Sequence, residues 1–390
     1  MTADLHLGYV PLVDAAPLLL AEALGFAEEE GLHFILHPAP SWAGLRDMLA
    51  LTQVDAAQML APLPIALALG LDRSQARFEA LSVLNLNGNV IGVSQVLAEQ
   101  IRSAGYSFDF KDALAAGRAL LATPGSLRIG VPFAFSMHAE LLHYWLAACG
   151  SDTARLDIRT VPPSRMAEAL AAGEIDAFCV GEPWGSVAVE IGAGTLLLPG
   201  SAIWAAAPEK VLASRTGWAE AEPALAGRLL RAVWRAGRWL GAAENHMMAA
   251  ELLAAQGRLA VSPDLIERAL TGRMVISHAG EERQILRFID FFSGAATFPW
   301  RSQAAWIGAR LAQRYGLDPV IAAKTAATVF RSDLHRLHLR AAGAELPGAS
   351  EKLEGAVWTP TALASERGQL ILPADRFFDA RIFDPRTPTS

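Results

Sequence analysis

The sequence predicts an α/β protein of two lobes with a ligand crevice between them and a helical second half. Three observations point there. Short apolar runs alternate with helix-length amphipathic segments through the first half, the pattern of βα units and a largely parallel sheet. A length of 390 residues makes two or three units at roughly 150 residues each. Third, Thr52–Pro62 and Ala172–Pro183 share one pattern: a small polar turn, an apolar-Asp-Ala strand, then a proline-initiated helix. A strand feeding a helix N-terminus directs unpaired N–H groups and the positive end of the helix dipole at a crevice. Two such units face to face make a binding protein that needs no catalytic group.

Taken in order, Leu5–Val10 predicts a strand, and Asp14 caps the helix that follows, with Pro17 in its first turn. His33–Leu36 is a second strand, Ser41 caps a helix through Leu51, Val54–Leu60 is a third strand, and Pro62–Leu69 a short helix. EALSVLNL and NVIGVS are two further strands around the Asn87-Gly88 loop. A second set follows: strand Leu127–Val131, a helix capped by Ser136 and running through Ala148, strand Leu156–Val161, a helix ended by Gly173, and strand Ile175–Val180. TLLLP and KVLAS lead back as strands. From Trp218 to about Ala342 the pattern is helical, and the tail Leu346–Ser390 is irregular.

Composition narrows the function. The apolar share of 52% gives ample core, and the net charge of -7 argues against direct binding to nucleic acid. Cys149 and Cys179 are read as small buried hydrophobes, too few for a disulfide framework or a zinc site. No apolar run reaches the ~18–20 residues of a membrane span. The first basic residue is Arg46, and Asp4, Pro11, Asp14 and Pro17 interrupt the early apolar pattern, so no signal peptide is read. The expected location is cytoplasmic, or periplasmic if a leader has been removed. No phosphate loop, G-x-S-x-G or H-E-x-x-H motif is present. His33 and His37 share a strand face about 13 Å apart, too far to co-ligate a metal. Arg228, Arg231, Arg235 and Arg238 follow helical spacing with Trp234 and Trp239 between them, read as a solvated face.

Several residues invite either a structural or a binding reading. Trp42, after Ser41, is a packed aromatic at a helix entry or an indole donor. Asn89 ends a tight Asn-Gly turn. His138 sits at a helix start, on the surface or aimed at an anion; His143, on another face, is an ordinary helix histidine. Gly181 and Pro183 shape a strand-to-helix turn in which Glu182 caps the helix or orients a donor, and Trp184 fills core or walls a crevice. Lys210 is one of only four lysines (with Lys111, Lys324 and Lys352) among 33 basic residues, where composition favours arginine. A compact ammonium suits a small cavity.

The segments LGYVPLVDAAPLLLAEALGF, PSWAGLRDMLAL, LNLNGN, GVPFAFSMHAELLHYWLAACG, DAFCVGEPW, PEKVLASR and FFDARIFDP together resemble the nitrate/bicarbonate-binding family of bilobed solute receptors, over Leu5 to Pro385. The resemblance implies a periplasmic-binding-protein-like (type II) fold, with lobe I formed by 1–88 plus 206–390 and lobe II by 89–205. It implies that Trp42, Asn89, His138, Gly181, Trp184 and Lys210 bind nitrate, or nitrite, and that no metal, cofactor or catalytic residue takes part. The family's bicarbonate receptors use a metal where this chain carries Lys210. Asn89 stands where the resembling receptors carry a glutamine, a methylene longer. Nitrate has three acceptor oxygens and no donor, so a donors-only site is expected, with positive charge from Lys210 and His138. Within the family, the chain is identified with the cytoplasmic nitrate-sensor (NasS-like) branch, whose partner is an RNA-binding antitermination regulator. Two other readings stay open: an exported substrate-binding protein serving an ABC permease, and an enzyme on the same fold, such as a pyrimidine-synthesising relative using Lys210.

Overall fold

The computed structural model describes residues 2–151, 155–255 and 257–388. The strands, in chain order, are β1 (Ala3–Tyr9), β2 (Leu32–Pro38), β3 (Ala56–Leu60), β4 (Phe78–Asn87), β5 (Asn89–Ser94), β6 (Leu127–Val131), β7 (Leu156–Thr160), β8 (Ala177–Gly181), β9 (Gly194–Pro199), β10 (Pro208–Arg215), β11 (Arg273–Val275), β12 (Glu282–Gln284), β13 (Ile289–Asp290), β14 (Thr361–Ser365) and β15 (Gly368–Leu372). They build a six-stranded sheet in the order β13-β4-β10-β3-β1-β2 and a five-stranded sheet in the order β7-β6-β8-β5-β9. Helices cover both, in a periplasmic-binding-protein-like arrangement.

Neither sheet is largely parallel, as the alternation had predicted. β10 runs antiparallel to β3 and β4, and β5 antiparallel to β8 and β9. The reason lies in the two places where the chain changes sheets. β4 passes through Asn87 and Gly88 straight into β5, without the helical crossover that parallel neighbours need. Both turn residues adopt left-handed backbone, φ 56° and 92°. A Cβ on Gly88 would also lie 2.7 Å from Ile289 Cδ1. β9 returns to β10 over Gly200–Ala207.

The internal repeat has a shared structural content. Asp55 receives the backbone N–H of His6 on its carboxylate at 2.9 Å and donates its own N–H to the His6 carbonyl. Asp176 does the same with Arg128, its carboxylate again at 2.9 Å. Each aspartate clasps its strand to the parallel neighbour, β3 to β1 and β8 to β6.

Other expectations are corrected. Asp14 does not cap a helix: it lies in a 3₁₀ turn, Val13–Ala15, before helix Ala16–Ala23, and its side chain makes no capping bond. The second half holds the hairpin β11–β12, and the tail holds the hairpin β14–β15, both short and turn-rich enough to escape a helix-period reading. The arginine stripe is not simply solvated. Arg231 and Arg235 pair with Glu29 and Glu30, Arg228 donates to the Gly31 carbonyl, and Arg238 lies over the Trp234 ring, so the face clamps helix Pro223–Leu240 onto the chain before β2. His33 pairs with Asp4, and His37 stacks on His6 instead. Cys179 is buried but Cys149 only partly so; both are free thiols.

The tail is pinned by a partly buried lysine, Lys352. Lys352 binds both Glu354 and Asp375, the Ser302 hydroxyl donates to Glu354 Oε1 at 2.6 Å, and the Val357 N–H reaches Asp375 Oδ1 at 2.8 Å. Phe377 stacks on Trp204, with ring centroids 4.7 Å apart.

Candidate anion site

The seam between the sheets is built from strand ends and helix starts. Ser41, extended, caps helix Trp42–Ala50 by accepting the Gly44 N–H, which turns Trp42 inward to 1% exposure. Ser136 caps helix Met137–Ala148 in the same way and sets His138 in its first turn. Lys210 comes from β10, whose pairing with β4 slips on both sides of it. Neighbours on a regular strand point to opposite faces. At this irregularity Glu209 and Lys210 instead meet, Nζ to Oε1 at 3.1 Å.

Lys210 is fully buried and lies 2.7 Å from Asp14 Oδ2. Asp14 Oδ1 accepts from Gln58 Nε2, and Gln58 Oε1 accepts the Val10 N–H at 2.9 Å. Glu209 Oε2 accepts from Asn89 Nδ2 at 2.8 Å. His138 Nδ1 approaches Glu209 Oε1 at 3.0 Å without the alignment of a hydrogen bond, so both ring nitrogens lack a partner among the described residues. Trp42 Nε1 is likewise buried and unpartnered, with Lys210 Nζ 5.3 Å from the indole centroid. Gly181 ends β8 against this group: a Cβ there would stand 2.9 Å from Leu12 Cδ2 and 3.2 Å from Asp14 Oδ2.

Burial works against the Lys210 ammonium, but the charges of Asp14 and Glu209 outweigh it and hold its pKa above the ordinary lysine value. Burial raises Asp14, only partly offset by Lys210 and Gln58. Burial lifts Glu209 to about 7 despite Lys210, with Asp14 adding to the rise. Burial, helped by Lys210, holds His138 well below the usual histidine range, so the imidazole is neutral. The expected positive charge on His138 is therefore corrected: beside Lys210 and out of water, it stays a neutral donor.

The structure thus brings Trp42, Asn89, His138, Gly181 and Lys210 together and leaves Trp184 at the rim. Its indole N–H donates to the Pro11 carbonyl at 3.1 Å, so it bridges the two sheets' segments rather than offering a donor to the centre. Val13 N–H to the Glu182 carbonyl, at 2.9 Å, makes a second such bridge. One of the two Asn89 amide N–H groups is taken by Glu209, so at most one is left for a ligand. Glu182 caps the following helix, accepting the Ser186 N–H at 3.1 Å, and orients no donor.

The largest correction is that the site is not donors-only. Asp14, Gln58 and Glu209 were missed, although each is a polar residue inside an apolar run (LVDAA, AAQML, PEKVLA) that a core must pair. Among the described residues no group of three or more His, Cys, Asp or Glu is placed to hold a metal ion. No helix among them is long and apolar enough to cross a membrane.

Two sheets joined at two crossings, with a buried cation and unpartnered donors in the seam, define a two-lobed binding protein of the periplasmic-binding-protein-like class. More particularly, the chain belongs to the NMT1-like family, whose profile matches residues 1–254. It is 29% identical over 398 residues to the nitrate/nitrite binding protein NrtA of Synechococcus elongatus, covering 98% of this chain and 84% of that one. It is 32% identical over 314 residues to the nitrate import ATP-binding protein NrtC of Synechocystis, covering 80% of this chain and 46% of that one. The chain spans about half the length of the ATP-binding relatives it matches. The crystal structure of the periplasmic nitrate-binding protein NrtA from Synechocystis superimposes with a TM-score of 0.82 at 25% identity, covering 99% of this chain and 97% of that one. These names describe binding and import, not catalysis.

Proposed function

We propose that the seam binds nitrate, or nitrite, between two lobes (1–88 plus 206–390, and 89–205), and that the protein acts by binding rather than by catalysis. One observation carries this reading: a fully buried ammonium stands beside two buried donors, Trp42 Nε1 and the His138 ring, that the protein itself leaves unpartnered. Such groups each cost stability unless an acceptor arrives, and a small planar anion supplies three acceptor oxygens. Asp14 and Glu209 fit the same picture once Glu209 is protonated. Its acid form becomes a further donor, and the anion takes over part of its role as counter-ion to Lys210. The names of the relatives support delivery to an ABC permease. A cytoplasmic sensor that releases an RNA-binding antitermination regulator would use the same binding event. Calorimetric titration with nitrate, nitrite and bicarbonate tests the ligand, with nitrate or nitrite expected to bind and bicarbonate to bind more weakly. Tighter bicarbonate binding overturns it. Sizing chromatography of the chain with the regulator, with and without nitrate, tests the sensor role: a complex that nitrate dissolves supports it, and no complex returns the protein to delivery.

A further inference from the structure

A cavity outside the seam has a chemistry of its own. It measures about 650 Å³ and sits between helix Met137–Ala148, which packs on β8, and helix Arg301–Tyr315, which packs on the helix Pro62–Ala68 of the first sheet. Its walls include Glu140, Tyr144, Arg310, Arg314, Tyr315 and Arg381. Three guanidinium groups therefore face one space, and their charges are unevenly answered. Arg314 is paired with the buried Glu140. Arg381 lies 3.3 Å from Asp379, whose carboxylate also accepts the Tyr144 hydroxyl at 2.7 Å. Arg310 has no carboxylate partner in salt-bridge range among the described residues; its one polar contact is the neutral amide of Gln313. It lies instead over the rings of Tyr144 and Trp306, at 5.6 and 6.0 Å from their centroids. Burial pulls its pKa below the ordinary arginine value, with Arg381 adding to that, and the more distant charges around Tyr144, Glu140 and Asp379 offset it only in part; the cation is partly desolvated and has no carboxylate in direct contact among the described residues.

A guanidinium held between two aromatic rings has N–H groups whose planar fork suits a carboxylate or phosphate. The volume is far beyond a four-atom anion and falls in the range of organic ligands. Tyr315, 40% exposed, offers a flat apolar wall beside the arginines. We propose that this cavity is a second binding site, for an organic anion that places a carboxylate or phosphate head on Arg310 and an aromatic body against Tyr144 and Tyr315. Because its walls come from helices of both sheets, such a ligand bridges the same two halves as the seam does. The site owes nothing to the nitrate reading and stands or falls separately.

The test is calorimetry on the full chain with AMP, phenyl phosphate, benzoate and inorganic phosphate. An aromatic anion is expected to bind one to one and at least tenfold more tightly than inorganic phosphate; the phosphate and carboxylate arms identify the head group. Arg310→Leu should weaken it at least tenfold with an unchanged melting curve and unchanged nitrate binding, whereas Lys210→Ala should leave it intact. If Arg310→Leu fails to fold, Arg310→Lys, which keeps the charge but loses the fork, should still bind several-fold more weakly. Inorganic phosphate binding as tightly as every aromatic anion, no aromatic anion binding at all, or binding that survives Arg310 substitution overturns the proposal.

Discussion

Lys210, fully buried, and Lys352, partly buried, are both flanked by two carboxylates, yet they sit in opposite kinds of surroundings. Around Lys352 every polar atom is answered: Glu354 by Lys352 and Ser302, Asp375 by Lys352 and Val357. Around Lys210, Trp42 Nε1, Asn89 Oδ1 and both His138 nitrogens lack partners. Fully satisfied polar networks rigidify a fold, whereas each unanswered buried group costs free energy. The first cluster ties down the tail. The second leaves buried donors without protein partners, which the proposed anion would answer. A buried charge is thus weak evidence of function by itself; the state of its neighbours decides.

Four experiments would break or sharpen that contrast. The largest effect belongs to Lys352→Ala, which strands Glu354 and Asp375 and should lower stability by about 3–5 kcal/mol in chemical denaturation, while the fraction that remains folded binds nitrate normally. A fall below about 1 kcal/mol would deny the tail cluster its structural role. Next, Lys210→Ala should weaken nitrate by about 1.5–3 kcal/mol in calorimetry, the range for a charge-assisted hydrogen bond. Unchanged affinity would make the two lysines alike.

The third concerns pH. Glu209 titrates near 7, and its ionised form repels an anion while its acid form does not. Nitrate affinity should therefore rise as pH falls from 8 towards 6, by at most about tenfold per unit, the limit for one linked proton. His138, its pKa already pushed well down, stays neutral across that window. Glu209→Gln should flatten the profile; an equally steep profile in that variant would assign the proton elsewhere. The smallest effect is the most diagnostic. Trp42→Phe keeps the aromatic packing and removes an N–H that bonds to nothing in the protein, so stability should move by less than about 0.5 kcal/mol while nitrate binding loses about 0.5–1.5 kcal/mol. Equal losses in both would mean that the indole matters for packing alone.

Much of this architecture is legible in the sequence because apolar runs and capping residues act locally. Ser41 and Ser136 sit where they were expected, as do the strands through Ala177 and Leu127. Strand direction was not legible, since it depends on β4 and β9 changing sheets, which leaves no periodic trace. The site was half legible. Trp42, His138 and Lys210 stand out as unusual residue types at element ends, but the partners of Lys210 come from Asp14, 196 positions away in the chain by their numbering, and from Glu209, whose neighbouring side chain regular alternation would send to the other face. Only the slip in β10 turns both inward.

The two bridges at the rim also set a clock. Lys210 is 0% exposed and Trp42 1%, so on the proposed reading an ion would enter only when the seam opens, and the Trp184–Pro11 and Val13–Glu182 bonds span its rim. Arrival is then governed by how often that mouth opens rather than by diffusion. With rising nitrate the observed association rate should climb and then level off at the opening frequency, and residence time should depend on the Trp184 indole even though it never touches the ion.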